Sequence, residues 1–373
     1  MKILNLFLKN YRNYDDLLID FNSNQNIIIG DNAQGKTNII EAIYYLAITK
    51  SFLINNDKSV IKNNSNFSKI EANILNKSKK IKLGISLGND LKKIEINKKE
   101  IKKHSEYIGT FKVILFSPDN VRILKEGPIN RRKFLNVEIS QLYNKYVNIL
   151  NDYNAILKQR NEYLRYVKIN NNVNKIYLEV LNDKYVSNII SIINYRNDFI
   201  NLINKYIDDI YYNIASVHGL YIKYLPCTNI CQEKEMYDNL ISKINSSYEK
   251  EVMYGSSLIG VHKEDFVFYL NDIDLSLYGS QGQVRMAILS LKLAESYVFK
   301  DICGESPVLL LDDIFSELDI NKRNNLIKYL NSDMQSIITT TDLNDINDEL
   351  ISTSKIFKIA NGSVTENITQ EGE

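Results

Sequence analysis

The apolar run Ile27-Ile28-Ile29 meets Gly30-Asp31-Asn32-Ala33-Gln34-Gly35-Lys36-Thr37 with nothing between them, and no other stretch constrains the fold as tightly. The octet satisfies G-x-x-x-x-G-K-[ST]. A buried strand enters a loop whose glycines let the backbone turn back, so that successive N–H groups point inward at a polyphosphate. Lys36 then reaches the β- and γ-phosphates, and the Thr37 hydroxyl is set to ligate Mg²⁺. After Asn38, a helix carries Ile39, Ile40, Ile43 and Leu46 on one face, and its N-terminus adds a positive dipole end beneath the phosphates. The alternative is a glycine turn beside a solvated lysine. It loses ground once a second half of the site emerges near residue 312.

With 373 residues, 44% of them apolar, the chain fills one large or two ordinary domains. No run of about 18 apolar residues occurs, and Lys9, Arg12 and Asp15 interrupt the first segment, which points away from export or a membrane span. Cys227, Cys231 and Cys303, with His104, His218 and His262, give neither zinc spacing nor an even disulfide framework, so a reducing cytoplasm is the expected home. The net charge of +1 offers no global argument for nucleic acid. Locally, ten lysines from Lys77 to Lys103 face only Asp90, Glu95 and Glu100. That basic lobe is compatible with phosphate contact and equally with a solvated edge, and Arg131-Arg132-Lys133 is likewise compatible with phosphate contact.

Residues 3–22 alternate loosely about a turn at Asn10–Asp16, the pattern of a hairpin. A second hairpin is expected from Lys82 through Gly88-Asn89-Asp90 to Ile96, and a strand at Val113–Phe116 ends in Ser117-Pro118-Asp119. No proline separates Pro128 from Pro226. Leu135, Ile139, Leu142, Tyr146, Ile149, Tyr153 and Ile156 predict one long helix by their four-three spacing. Val186, Ile193, Ile200, Ile207 and Ile214 recur every seventh residue and predict a second, with Arg196 as its one break. The asparagine run at 170–174 is the turn between them. The pair makes a short helical arm or part of an ordinary bundle.

Past Gly255 the pattern returns to strands: Phe266–Leu270, then Tyr278-Gly279-Ser280-Gln281-Gly282-Gln283 opening a helix. That helix start is either a second anion site or a plain cap. Pro307-Val308-Leu309-Leu310-Leu311-Asp312-Asp313 is an apolar strand ending in two carboxylates. Adjacent acids repel, so such a pair is expected where a cation or a proton transfer uses it. Buried strands at Ser336–Thr341 and Ile356–Ile359 follow, then a turn at Asn361-Gly362 and a polar tail.

The order of parts resembles the head of an ABC-type ATPase, in the soluble branch that includes the SMC chromosome proteins. Within that branch it is similar to the RecF family of bacterial recombination mediators. The resemblance spans the chain. It rests on Asn10-Tyr11-Arg12-Asn13-Tyr14, the Gly30–Thr37 loop with Asn38 and Glu41-Ala42, Phe116-Ser117-Pro118 and Arg131-Arg132-Lys133-Phe134-Leu135. Gln159-Arg160-Asn161, Ser280-Gln281-Gly282-Gln283-Val284-Arg285 and Leu309–Asp313 with Ser316-Glu317-Leu318-Asp319 complete it. The fold class it implies is α/β, an ABC-type head with a mixed sheet, a phosphate-loop core and an antiparallel lobe. The head would comprise residues 1–120 and 255–373, with a helical arm subdomain inserted at 121–254.

Residue by residue, the resemblance implies that Gly30 to Asn38 bind ATP and that Thr37 and Asp312 hold Mg²⁺. Lys36 and Asp313 would be catalytic, Asp313 acting on the attacking water. Ser280, Gly282 and Gln283 would face the γ-phosphate held by a second copy, giving a homodimer that closes on ATP, with Asp319 at its seam. It further implies binding of duplex or gapped DNA, RecO and RecR as partners, and help in loading RecA.

Several positions depart from the wider pattern. Asp313 stands where ABC transporters carry glutamate, which predicts slow turnover. No glutamine lies between Gln34 and Gln141, leaving Asp119 for the coupling position, and Thr341 replaces the switch histidine. A transport subunit would carry both missing residues. An adaptor that uses ATP only to dimerise is the other competing class. Leu53, Ile54 and Val261-His262-Lys263-Glu264-Asp265 depart from the RecF family itself.

Overall fold

The computed structural model describes residues 1–22, 24–88, 91–330, 334–360 and 362–366. Two compact units emerge, the first made of residues 1–121, 206–218 and 285–373 and the second of 122–205 and 219–284. Fifteen strands, β1 to β15 in chain order, lie among the described residues.

In the first unit an antiparallel sheet runs β2-β1-β4-β5-β6-β7. Its strands are β1 (Lys2–Tyr11), β2 (Tyr14–Asp20), β4 (Phe67–Asn76), β5 (Lys79–Gly88), β6 (Lys92–Ile96) and β7 (Lys99–Glu100). The register slips between Ile3 and Asn5, which is why the buried set of β1 changes phase from Ile3 to Leu6 and Leu8. The first hairpin turns tightly at Arg12-Asn13, not over the wider Asn10–Asp16 span. Asn89 and Asp90 of the expected second turn, and Asn361, lie outside the described residues.

The other sheet runs β15-β14-β3-β13-β12-β8 and is parallel except between β14 and β15. It comprises β3 (Gln25–Ile29), β8 (Val113–Phe116), β12 (Val308–Asp312), β13 (Ser336–Thr340), β14 (Ser354–Ala360) and β15 (Ser363–Glu366). A parallel sheet covered on both faces calls for unbroken apolar runs, which Ile27-Ile28 and Val308–Leu311 supply. Helix Lys36–Ile48 leaves the C-terminal end of β3 and touches β8, β12 and β13 of this sheet as well as β4 and β5 of the other. Lying between two sheets, it buries Ala42, Tyr45 and Ala47 as well as the single face read from its sequence.

The second unit holds helices Pro128–Leu142, Asn144–Asn170, Lys175–Asn204 and Glu233–Tyr254. Its small sheet runs β11-β10-β9, from β9 (Leu220–Leu225), β10 (Asp265–Leu270) and β11 (Ile273–Asp274). The long helix expected through Leu135–Ile156 is two helices broken at Tyr143, which sits at φ −133° and ψ 103°. The second heptad run also breaks, at Tyr206, and its last turns form helix Ile207–Ala215, packed within the first unit. The expected arm boundary at 254 falls inside the second unit, because β10 pairs with β9 over Leu220–Leu225. No helix among the described residues is long and apolar enough to cross a membrane.

Candidate nucleotide site

β3 delivers Gly30 between its parallel neighbours, and the loop returns through Ala33 (φ 64°) and Gly35 (φ 109°) into helix Lys36–Ile48. Gly30 admits no side chain, since a Cβ there would lie 2.6 Å from the Ile359 carbonyl oxygen on β14. At Gly35 a Cβ would meet Asn13 Nδ2 at 2.5 Å and the Tyr14 hydroxyl at 2.7 Å, in a left-handed conformation as well. Gly35→Ala is therefore expected to cost about 1–3 kcal/mol in strain. Mant-ADP affinity should fall at least about tenfold, beyond the stability loss read by urea denaturation.

The β1–β2 turn clamps this loop. Asn13 Nδ2 donates to the Gln34 carbonyl at 3.0 Å, Tyr14 Oη to the Gly35 carbonyl at 3.1 Å, and Asn38 Nδ2 to Asn13 Oδ1 at 2.8 Å. One turn further along, the fully buried Glu41 accepts from Tyr11 Oη at 2.9 Å and from Arg12 through Nε at 2.7 Å and Nη2 at 2.5 Å, and it also accepts from Ser51 Oγ. The sequence Asn10–Tyr14 thus fixes the phosphate-loop helix through its own carboxylate. Ser51 Oγ in turn accepts from the N–H groups of Leu53 and Ile54.

Lys36 Nζ donates to the carbonyls of Gly30 at 2.5 Å and Asp31 at 2.9 Å, which uses two of its three N–H donors. Burial lowers its pKa, opposed by the carboxylates of Asp313, Asp312 and Asp31. Asp312, at the end of β12, accepts from Thr37 Oγ1 at 3.0 Å and Thr339 Oγ1 at 2.8 Å. Burial pushes the Asp312 carboxyl above the usual range, and the two threonine hydrogen bonds only partly offset it. Asp313 follows at φ 51°, its N–H donating to Thr339 Oγ1 at 3.0 Å, while its Oδ1 is buried with no hydrogen-bond partner.

These donors suit a divalent cation of the magnesium type: one hydroxyl and one carboxylate meet, and phosphate oxygens and water would supply the rest. No cluster of three or more histidine, cysteine or carboxylate ligands occurs among the described residues. Thr339 joins the two aspartates and was missed from sequence. Its signal is a polar Thr-Thr end on an otherwise apolar buried strand.

Lys36, Thr37, Asp312 and Asp313 gather in the first unit, whereas Ser280, Gly282 and Gln283 belong to the second. There Ser280 and Gln283 form a capping box: Gln283 N donates to Ser280 Oγ at 3.2 Å, and Ser280 N to Gln283 Oε1 at 2.9 Å. The cap uses a lone pair of the hydroxyl and leaves its proton available. Gly282 is open, with nothing nearer to an added Cβ than Ser280 Oγ at 4.0 Å. Asp119 is exposed in the turn after β8, and Asp319 caps helix Ile320–Leu330 through Lys322.

The basic residues differ in how far the structure occupies them. Arg131 forms a two-point ion pair with Asp265, at 2.5 and 2.8 Å, and the half-buried Arg132 donates to the Glu264 carbonyl, both inside the second unit. In the lysine lobe, Lys82 pairs with Glu71, Lys93 with Glu95, and Lys92 with Asp57, the Tyr45 hydroxyl and the Thr49 carbonyl. Lys77, Lys79, Lys80, Lys98 and Lys99 remain exposed, on or beside the tight β4–β5 and β6–β7 turns.

Residues 2–365 match the RecF/RecN/SMC N-terminal domain family model. The DNA replication and repair protein RecF of Streptococcus agalactiae serotype Ia is 37% identical over 368 residues, covering 98% of both chains. The protein of the same name from Staphylococcus carnosus is 35% identical over 368 residues, covering 98% of this chain and all of its own. A solved structure of the recombination mediator protein RecF with ATP superposes with a TM-score of 0.90 at 31% identity, over 98% of this chain and 97% of that one. An Smc head bound to the winged-helix domain of ScpA shares the fold alone, with a TM-score of 0.56 at 14% identity over 100% of this chain and 99% of that one.

Proposed function

Because the chain belongs to the RecF family of SMC-like, ABC-type ATPases, we propose that it is an ATP-switched DNA-binding protein of recombinational repair that hydrolyses ATP slowly. The observation that carries the reading is the pairing of Thr37 with a buried Asp312, beside an Asp313 whose Oδ1 has no partner. Magnesium would supply charge neutralisation on the phosphates. The chain's own groups do the rest. The loop N–H groups and Lys36 bind and orient the triphosphate. Asp313 Oδ1 accepts a hydrogen bond from the attacking water and takes its proton.

In this reading Ser280 donates its remaining O–H to the γ-phosphate held by a second copy, and Gly282 lets the backbone approach. ATP then closes a homodimer, and hydrolysis releases it. DNA would be held through phosphates by the exposed lysines at 77–80 and 98–99, with little dependence on base sequence and strong dependence on salt. RecO and RecR are the partners such a protein would serve in loading RecA.

The test is retention of gapped duplex DNA by the full chain with ATP and Mg²⁺, with ADP, and by Lys36→Arg. Binding is expected with ATP alone, to be lost in Lys36→Arg, and to weaken at least about tenfold from 50 to 200 mM salt. Tight ATP binding with no DNA retention in any nucleotide state would overturn the DNA reading in favour of an adaptor.

A further inference from the structure

The segment just before Ser280 exposes large apolar side chains from a rigid mount. Leu277 and Tyr278 are 71% and 75% exposed, while Leu275, two residues earlier, is buried. The single turn Leu275–Tyr278 is not a loose loop. Asp274 Oδ1 caps it by accepting from Ser276 N at 2.7 Å and from Ser276 Oγ at 2.6 Å. Gly279 closes it by donating to the Leu275 carbonyl at 3.1 Å, and any Cβ at Gly279 would lie 2.6 Å from that oxygen. Lys125 Nζ adds a bond to the Gly279 carbonyl at 3.2 Å. Ile273, on the strand that packs against this turn, is a further 54% exposed. A turn ordered so firmly, with a leucine and a tyrosine held in water, is a surface suited to being covered.

We infer that Leu277 and Tyr278 are the apolar anchor by which a second copy of this chain seats its phosphate-loop face on the Ser280–Gln283 helix start. The inference rests on the split-site reading above and specifies what holds the two copies together. Two observations and a symmetry argument select that occupant. Ser280, Gln281, Gly282 and Gln283 are all exposed and follow the patch directly in the chain, so a partner seated on the helix start lies beside the turn that carries Leu277 and Tyr278. The helix start presents one hydroxyl and an open glycine, far short of the 1,200 Å² or so that a stable pair of proteins buries. Lastly, a pair related by a two-fold axis covers the patch twice, once for each nucleotide, so two short patches act as one interface. Tyrosine suits such a place because it offers wide contact area with few rotatable bonds.

Sedimentation of the full chain with ATPγS and Mg²⁺ tests this, comparing the wild type with Leu277→Ser/Tyr278→Ser. The wild type is expected to dimerise. The double variant is expected to dissociate about 100-fold more readily, tenfold for each of two seams, with unchanged mant-ADP affinity as a monomer. A variant that dimerises like the wild type overturns the anchor and leaves the split site standing. A wild type that stays monomeric with ATPγS overturns the split site and the anchor together. Hydroxyl-radical footprinting of the wild type removes any dependence on the variant's folding. Tyr278 oxidation should fall several-fold with ATPγS and not with ADP, and equal oxidation in both states would overturn the anchor.

Discussion

Asp313→Asn is expected to lower steady-state ATP turnover by about 100-fold or more, the usual contribution of a positioned general base, while ATP affinity stays within about threefold of wild type. Asparagine is nearly isosteric and is one of the few residues that accepts φ 51° as readily as aspartate does, so the backbone of the turn and the bond from Asp313 N to Thr339 Oγ1 should survive. What changes is the buried Oδ1 position, which loses its negative charge and its ability to take a proton. Phosphate release and calorimetric ATP binding separate these two quantities. Asp312→Asn should behave oppositely, losing magnesium-dependent affinity first. If Asp313→Asn hydrolysed ATP at the wild-type rate, the base would have to be another group. If the wild type had no measurable turnover, the adaptor class would be favoured.

The phosphate loop and the two aspartates were legible because both sit at the ends of unbroken apolar runs, where polar residues have no packing reason to be. Thr339 escaped notice because a threonine in a β-strand is ordinary, and its role depends on β13 pairing alongside β12 in a register that brings Thr339 opposite Asp312. Glu41 was recognisable only as part of a resemblance. Its partners Tyr11, Arg12 and Ser51 come from both sides of the loop, 30, 29 and 10 residues away.

The same limit shaped the fold. Heptad spacing ran on through Ile207 and Ile214, and correctly marked them as buried, but periodicity does not say against what. After the break at Tyr206 those residues fill the first unit. The β4–β5 hairpin went unread because its turn is Lys77-Ser78, both residues at positive φ without the glycine or asparagine that usually signals such a turn. Helix Glu233–Tyr254 went unread because Met236, Leu240 and Ile244, its deeply buried apolar residues, are sparse among charged and polar neighbours. Arginines 131 and 132 show the same limit, since a basic run is compatible with phosphate contact while the partners the structure gives it lie more than 130 residues away.

Arg196→Met is expected to destabilise the chain by about 3–5 kcal/mol, the cost of leaving a buried charge without its partner. Arg196 was the one break in the helix seam, and the structure explains the exception. Its Nη1 donates to Glu264 Oε2 at 2.8 Å and to the Val261 carbonyl at 3.0 Å, and its Nη2 to Asn136 Oδ1 at 3.0 Å, with both charged side chains almost fully buried. Glu264 also accepts from the Tyr224 hydroxyl and from Cys227 N, so it is held to β9 and the loop that follows as well as to the helix. Removing the arginine strands that carboxylate. Removing both charges in Arg196→Met/Glu264→Gln should recover at least about half of the loss, since a matched apolar and neutral pair carries no desolvated ion. Urea denaturation followed by circular dichroism measures both, and equal loss in the single and double variants would show that packing, not charge, dominates. In the split-site proposal the consequence would reach Ser280 through the chain itself. Glu264 immediately precedes β10, which leads through the β11 hairpin to the Leu275 turn and Ser280. Arg196→Met should therefore lose ATPγS-dependent dimerisation at urea concentrations where its helices are still folded, whereas the double variant should retain it.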